Sequence, residues 1–206
     1  MIGPALAAVC RLFSGAVVEW RCDPSSDVQR IYFANHSSHL DFVVIWSALP
    51  PSLRRSARPV AGRDYWEQTA VRRCLARQVF RAVLIERSGD GSANAAAARA
   101  SVEQMAHDMG RADSLIVFPE GTRSVNGAIG SFKSGLYHLS RARPDAELIP
   151  VHLENLNRIL PKGETLPVPM LSRVTFGPAL PNNVDEEKDA FLARSRAALV
   201  QLKGHA

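Results

Sequence analysis

Short apolar blocks and longer stretches of helical period alternate along most of the chain. The blocks at 30–34, 82–85, 114–118, 147–153 and 173–176 are apolar enough to be buried strands, and a shorter one is expected at 59–61. The clearest is 114–118, which ends against Pro119, a residue unable to donate to a sheet ladder. Helices are expected at 39–48, closed by Pro50 and Pro51, and at 64–79, with Asp64 as N-cap. Further helices follow at 95–109, after a loop at 88–91, at 135–142 and at 186–202, while the Pro-rich stretch 161–169 reads as loop. Strands alternating with helices predict an α/β fold, a mainly parallel central sheet flanked by helices. In such sheets ligand chemistry gathers in the loops beyond the carboxyl ends of the strands.

The N-terminal stretch 2–20 is apolar but carries Arg11 in its middle, together with Gly3, Pro4 and Gly15. It lacks the run of about 20 uninterrupted apolar residues that spans a bilayer. An amphipathic helix fits better, with Leu6, Val9, Leu12 or Phe13, and Val17 on one side. Trp20 and Arg21 at its end suit an anchor at headgroup level. Residues 1–22 are therefore read as a helix that either associates with a membrane or packs on the domain's own core.

At 206 residues the chain has the size of one large domain, 1–206, able to bury a core without staples. A hydrophobic content of 46% with 22% charged residues excludes disorder. Cys10, Cys22 and Cys74 form no C-x-x-C pair and leave one cysteine over. That argues against a disulfide framework or a zinc site and favours a reducing compartment. The N-terminal stretch has no basic n-region and no clear cleavage site, so a secretory signal is not expected. The formal charge of +5 is spread unevenly, nine arginines between Arg54 and Arg87 standing against Asp64, Glu67 and Glu86. Such a stretch suits anionic lipid headgroups, phosphate groups or an acidic carrier protein. The alternative is solvated surface in an Arg-biased composition, since 21 of the 25 basic residues are Arg. Nucleic acid is disfavoured, because interleaved aromatics and any recognised binding signature are missing.

Candidate chemistry begins directly after the first predicted strand, in Asn35-His36-Ser37-Ser38-His39-Leu40-Asp41. His36 and Asp41 are five apart, which on one regular helix would turn them away from each other. With His36 in the loop and Asp41 in the first turn of the next helix, the chain can fold back. The carboxylate then fixes the imidazole tautomer and leaves the other nitrogen free as a general base. Such a base can take a proton from an alcohol attacking a thioester. Two other readings exist: His36, His39 and Asp41 as metal ligands, which match no established spacing, or a helix-start carboxylate beside a loop histidine.

A second cluster, Phe118-Pro119-Glu120-Gly121-Thr122-Arg123-Ser124, follows the 114–118 strand. Gly121 permits a tight turn and close approach to a ligand, and Arg123 offers a planar fork for phosphate. Glu120 is placed to hold Arg123 or a substrate hydroxyl. The strand around Val83-Leu84-Ile85 ends in Glu86 and Arg87, the latter a second candidate for phosphate. Lys133, in Phe132-Lys133-Ser134-Gly135, either meets an anionic substrate or is solvated. No G-x-S-x-G occurs, which disfavours a serine hydrolase, and Phe132 stands where a P-loop needs glycine. A non-catalytic lipid-binding module would account for the basic stretch and the N-terminal helix, but not for the His36 and Asp41 pair.

The ordered set of an NHxSxxD loop, a strand ending in Arg87, FPEGTRS and the Ile149-Pro150-Val151 strand resembles the glycerol-phosphate and lysophosphatidate acyltransferase family. The resemblance covers roughly 30–155. It implies His36 as the base, Asp41 as its orienting carboxylate, and Arg87, Glu120, Gly121, Thr122 and Arg123 as binders of the acceptor's phosphate-bearing end. It also implies acyl-CoA or acyl-carrier protein as donor, a lysophospholipid acceptor, no metal or other cofactor, and peripheral attachment to the cytoplasmic face of the inner membrane. Two departures stand out: fewer than 30 residues precede the first motif strand, and Arg81 and Leu84 replace the frequent Gly and Phe of the second motif.

Overall fold

A computed structural model describes the chain except residues 1, 26–27, 39–40, 87–94, 125–126, 156–171 and 204–206. Helix α1 (Ile2–Ser14) leads into β1 (Val17–Trp20), β2 (Arg30–Ala34), α2 (Asp41–Ala48), α3 (Pro51–Ser56) and β3 (Ala57–Gly62). Two short helices, α4 (Arg63–Trp66) and α5 (Ala70–Cys74), and a π-turn (Leu75–Val79) precede β4 (Val83–Ile85). Then come α6 (Ala95–Met109), β5 (Ser114–Val117), α7 (Gly135–Ala142), β6 (Glu147–Glu154), β7 (Arg173–Phe176) and α8 (Lys188–Lys203).

The described strands form one sheet in the order β1-β7-β6-β2-β5-β3-β4. Every neighbouring pair is parallel except β6 with β7. The expected α/β architecture with a mainly parallel, helix-flanked sheet is therefore present. Residue alternation along β2 separates two cores. Tyr32 and Ala34 pack with Phe42, Ile45 and Trp46 of α2 and Ala7 of α1 on one face. Ile31 and Phe33 pack with Met105 and Met109 of α6, Leu139 of α7 and Leu199 of α8 on the other. Phe33 and Ile31 are wholly buried, each side chain contributing on the order of 2 kcal/mol of hydrophobic stabilisation.

The N-terminal expectation needs correction. The helix stops at Ser14, and Gly15 takes a left-handed φ of 50°, a conformation that ends helices and costs glycine little. β-Branched Val17 and Val18 then pair with β7 as an edge strand. Trp20 is no headgroup anchor: its ring stacks on Phe176 with centroids 3.8 Å apart, and Arg21 pairs with Glu19. Arg11 has a structural use, its guanidinium donating to the carbonyls of Ser47, Ala48 and Leu49. It thereby satisfies the terminal carbonyls of α2, a helix with no basic residue of its own in the last turn.

The helix expected at 64–79 is likewise broken. Gly62 occupies the N-cap position of α4, and Thr69 restarts the chain by accepting the N–H of Arg72. The arginines of this region are largely consumed locally. Arg58 and Arg81 both reach Asp113, Arg63 and Arg77 both reach Glu67, and Arg54 and Arg72 lie over the rings of Trp46 and Tyr65. The Pro-rich stretch 161–169 lies outside the described residues.

Candidate active site

Sheet order places the two motif loops side by side. β2 and β5 are adjacent and parallel, with Phe33 opposite Val117, so residues 35–38 and 118–124 leave the sheet at the same end. Asn35 prolongs β2 with its side chain. Its amide donates to the Leu153 carbonyl at 3.0 Å and accepts the Leu153 N–H at 2.8 Å, so the ladder to β6 continues while the backbone turns away.

The turn brings His36 back onto Asp41. Nδ1 of His36 lies 2.8 Å from Oδ2 of Asp41. The same oxygen accepts the backbone N–H of Ser37 at 2.6 Å and of Ser38 at 2.9 Å. Asp41 is 0% exposed, and these donors replace the lost hydration of Oδ2. Oδ2 is an acceptor for both backbone N–H groups, so in the neutral imidazole the tautomer that fits carries its proton on Nδ1 and leaves Nε2 as the acceptor nitrogen. The imidazole face stacks on Phe118, centroids 4.3 Å apart and rings 23° from parallel. The expected fold-back of loop onto helix start is thus the observed geometry.

The Phe118–Ser124 segment wraps this histidine. The Gly121 N–H closes a turn on the Phe118 carbonyl at 3.0 Å, with Gly121 at a left-handed φ of 70°. A Cβ there would come within 2.9 Å of the Lys133 side chain, so the lysine stem lies directly across the glycine. Glu120 does not hold Arg123. Its carboxylate accepts the backbone N–H of His36 at 2.9 Å and of Gly130 at 2.8 Å. Ser124 N–H donates to the His36 carbonyl at 2.8 Å. Thr122 is exposed and Arg123 half-buried, and among the described residues Arg123 has no hydrogen bond or ion pair. Arg87 lies outside the described residues, so its expected place beside Arg123 is not observed.

Sequence reasoning missed His152. This residue is 3% exposed and helps line a cleft of about 310 Å³ with Asn35, Ser37, Glu154 and Lys203. Its Nδ1 lies 3.6 Å from Glu154 Oε1, and burial, with Lys203 nearby, lowers its pKa to about 4. Its position immediately after the Ile149-Pro150-Val151 strand motif was the available signal.

The Acyltransferase family model matches residues 23–154, well over half of the chain. The chain belongs to the acyltransferase family. It is 28% identical over 146 residues to a chloroplastic 1-acyl-sn-glycerol-3-phosphate acyltransferase of Arabidopsis thaliana, covering 68% of this chain and 36% of that protein. It is 29% identical over 136 residues to a mouse 1-acyl-sn-glycerol-3-phosphate acyltransferase alpha, covering 65% of this chain and 43% of the relative. The chain thus spans less than half the length of these curated relatives. Its fold matches the crystal structure of the 1-acyl-sn-glycerophosphate acyltransferase from Thermotoga maritima, with a TM-score of 0.68 at 17% identity over 98% of this chain and 80% of that one.

Proposed function

We propose that this acyltransferase-family protein moves a fatty acyl group from acyl-CoA or acyl-carrier protein to the free hydroxyl of a 1-acylglycerol 3-phosphate, giving phosphatidate. The observation that carries this reading is the His36–Asp41 pair, 2.8 Å apart and clasped by the FPEGTRS segment. Nε2 of His36 takes the acceptor hydroxyl proton as the oxygen attacks the thioester carbonyl. Collapse of the tetrahedral intermediate breaks the C–S bond, and the thiolate leaves with the proton returned from Nε2. The buried Asp41 carboxylate stabilises the transient imidazolium. Arg123, beside the Ser124 that bonds His36, serves the acceptor's phosphate, with Arg87, Gly121 and Thr122 as its proposed companions.

Membrane attachment at the cytoplasmic face is part of the same proposal. Ala5, Ala8, Val9 and Leu12 form an exposed apolar stripe on α1, Leu12 being 81% exposed. No helix among the described residues is long and apolar enough to cross a membrane. A stripe of this size suits shallow insertion beneath headgroups. The test is release of free thiol from acyl-CoA on addition of lysophosphatidate, with phosphatidate identified by mass. Thiol release that requires both substrates supports the reading. Lysolipid binding without turnover, using either donor, would make the chain a lipid-binding module instead.

A further inference from the structure

Glu120 is an acid built into a place where acids are costly. The residue is 7% exposed, and each of its carboxylate oxygens is engaged by a backbone N–H from a different loop. Oε1 holds His36, and Oε2 holds Gly130. The fit is tight, because a Cβ added at Gly130 would sit 3.1 Å from Oε2. Ser124, four residues on, takes the His36 carbonyl, and Phe118, two residues back, covers the imidazole face. One short segment thus grips His36 at its N–H, its C=O and its ring, while Asp41 holds Nδ1.

We infer that Glu120 is a positioning residue for His36, acting through the backbone of the proposed base, and is not a ligand for the acceptor's phosphate. A buried carboxylate bound to two N–H groups has little cause to approach an anion, since the two would repel across a low-dielectric gap. Its negative charge strengthens both N–H bonds, as charge-assisted bonds are shorter and stronger than neutral ones. What this secures is placement of Nε2, since displacement of a reacting group by about 1 Å costs on the order of 100-fold in rate.

The inference rests on His36 being the base, so the experiment tests the two separately. Glu120→Gln keeps the length of the side chain but turns an NH2 toward one of the two N–H donors. It should lower kcat about 10- to 100-fold, the scale set by misplacement, and leave the acceptor KM within about threefold. In a His36→Ala background the same change should lower the residual rate no further, because both substitutions disable one unit. Gly130→Ala, which presses on Oε2 without removing the carboxylate, should show the same loss of kcat in milder form. It also keeps the question open to test if Glu120→Gln fails to fold, as judged by circular dichroism. A rise in acceptor KM of tenfold or more at unchanged kcat, or a further rate loss in the His36→Ala background, would overturn the inference. Full turnover by His36→Ala would instead sink the base assignment itself.

Discussion

Asp41 is the residue at which charge and geometry can be separated by one atom. Replacing it with Asn keeps an oxygen where Oδ2 now accepts three N–H groups, two of them backbone. The new NH2 falls where Oδ1 has no hydrogen-bond partner among the described residues. The loop should therefore hold its shape while the charge facing the imidazole is lost. At 2.8 Å the full Coulomb attraction between carboxylate and imidazolium is about 6 kcal/mol at an effective dielectric of 20. The amide dipole retains part of it, leaving a loss of roughly 2–4 kcal/mol, or about 30- to 1000-fold in kcat. Asp41→Ala removes the acceptor as well and strands the Ser37 and Ser38 N–H groups. Each such buried donor costs about 1–3 kcal/mol, so roughly 2–6 kcal/mol of stability should vanish too. Saturating thiol-release rates measure the first effect and urea unfolding the second. Asp41→Asn within threefold of the parent kcat, or Asp41→Ala as stable as the parent, would refute the reasoning.

Two further outcomes are expected. Arg123→Ala should raise the acceptor KM about tenfold or more with little change in kcat, the loss of one charge-assisted bond of about 1.5–3 kcal/mol; an unchanged KM in acceptor titrations contradicts its assigned role. His152, whose folded pKa falls from the ordinary 6.5 to about 4, takes up a proton more readily when unfolded. Stability should thus be full above about pH 6.5 and decline by about 3 kcal/mol as pH drops toward 4. In urea melts across that range, His152→Gln should flatten the decline, and an unaltered pH dependence would contradict it.

Much of this architecture is legible in residue pattern because buried parallel strands read as uninterrupted apolar blocks, as Ser114–Val117 does. β1 escaped that reading because Val17 and Val18 continue the apolar run of α1, and only Gly15 marks the switch of period. The break within 64–79 hid behind a continuous Arg-rich helical pattern, with Thr69 as the overlooked cap. At the site, a separation of five residues excluded a shared helix face and so pointed to the loop-onto-helix geometry of His36 and Asp41. The role of Glu120 was beyond reach, since its partners are backbone N–H groups supplied by residues 84 and 10 positions away. No residue type signals those donors in advance. How much of the basic stretch stays available was hidden for a related reason, since it depends on where Glu67 and Asp113 fall in space.

The most direct measurement is kcat for His36→Gln with saturating acyl-CoA and lysophosphatidate, its fold verified against the parent by circular dichroism. General-base removal predicts a fall of about 100- to 10,000-fold with substrate binding retained. A rate within tenfold of the parent would contradict the claim that His36 drives acyl transfer.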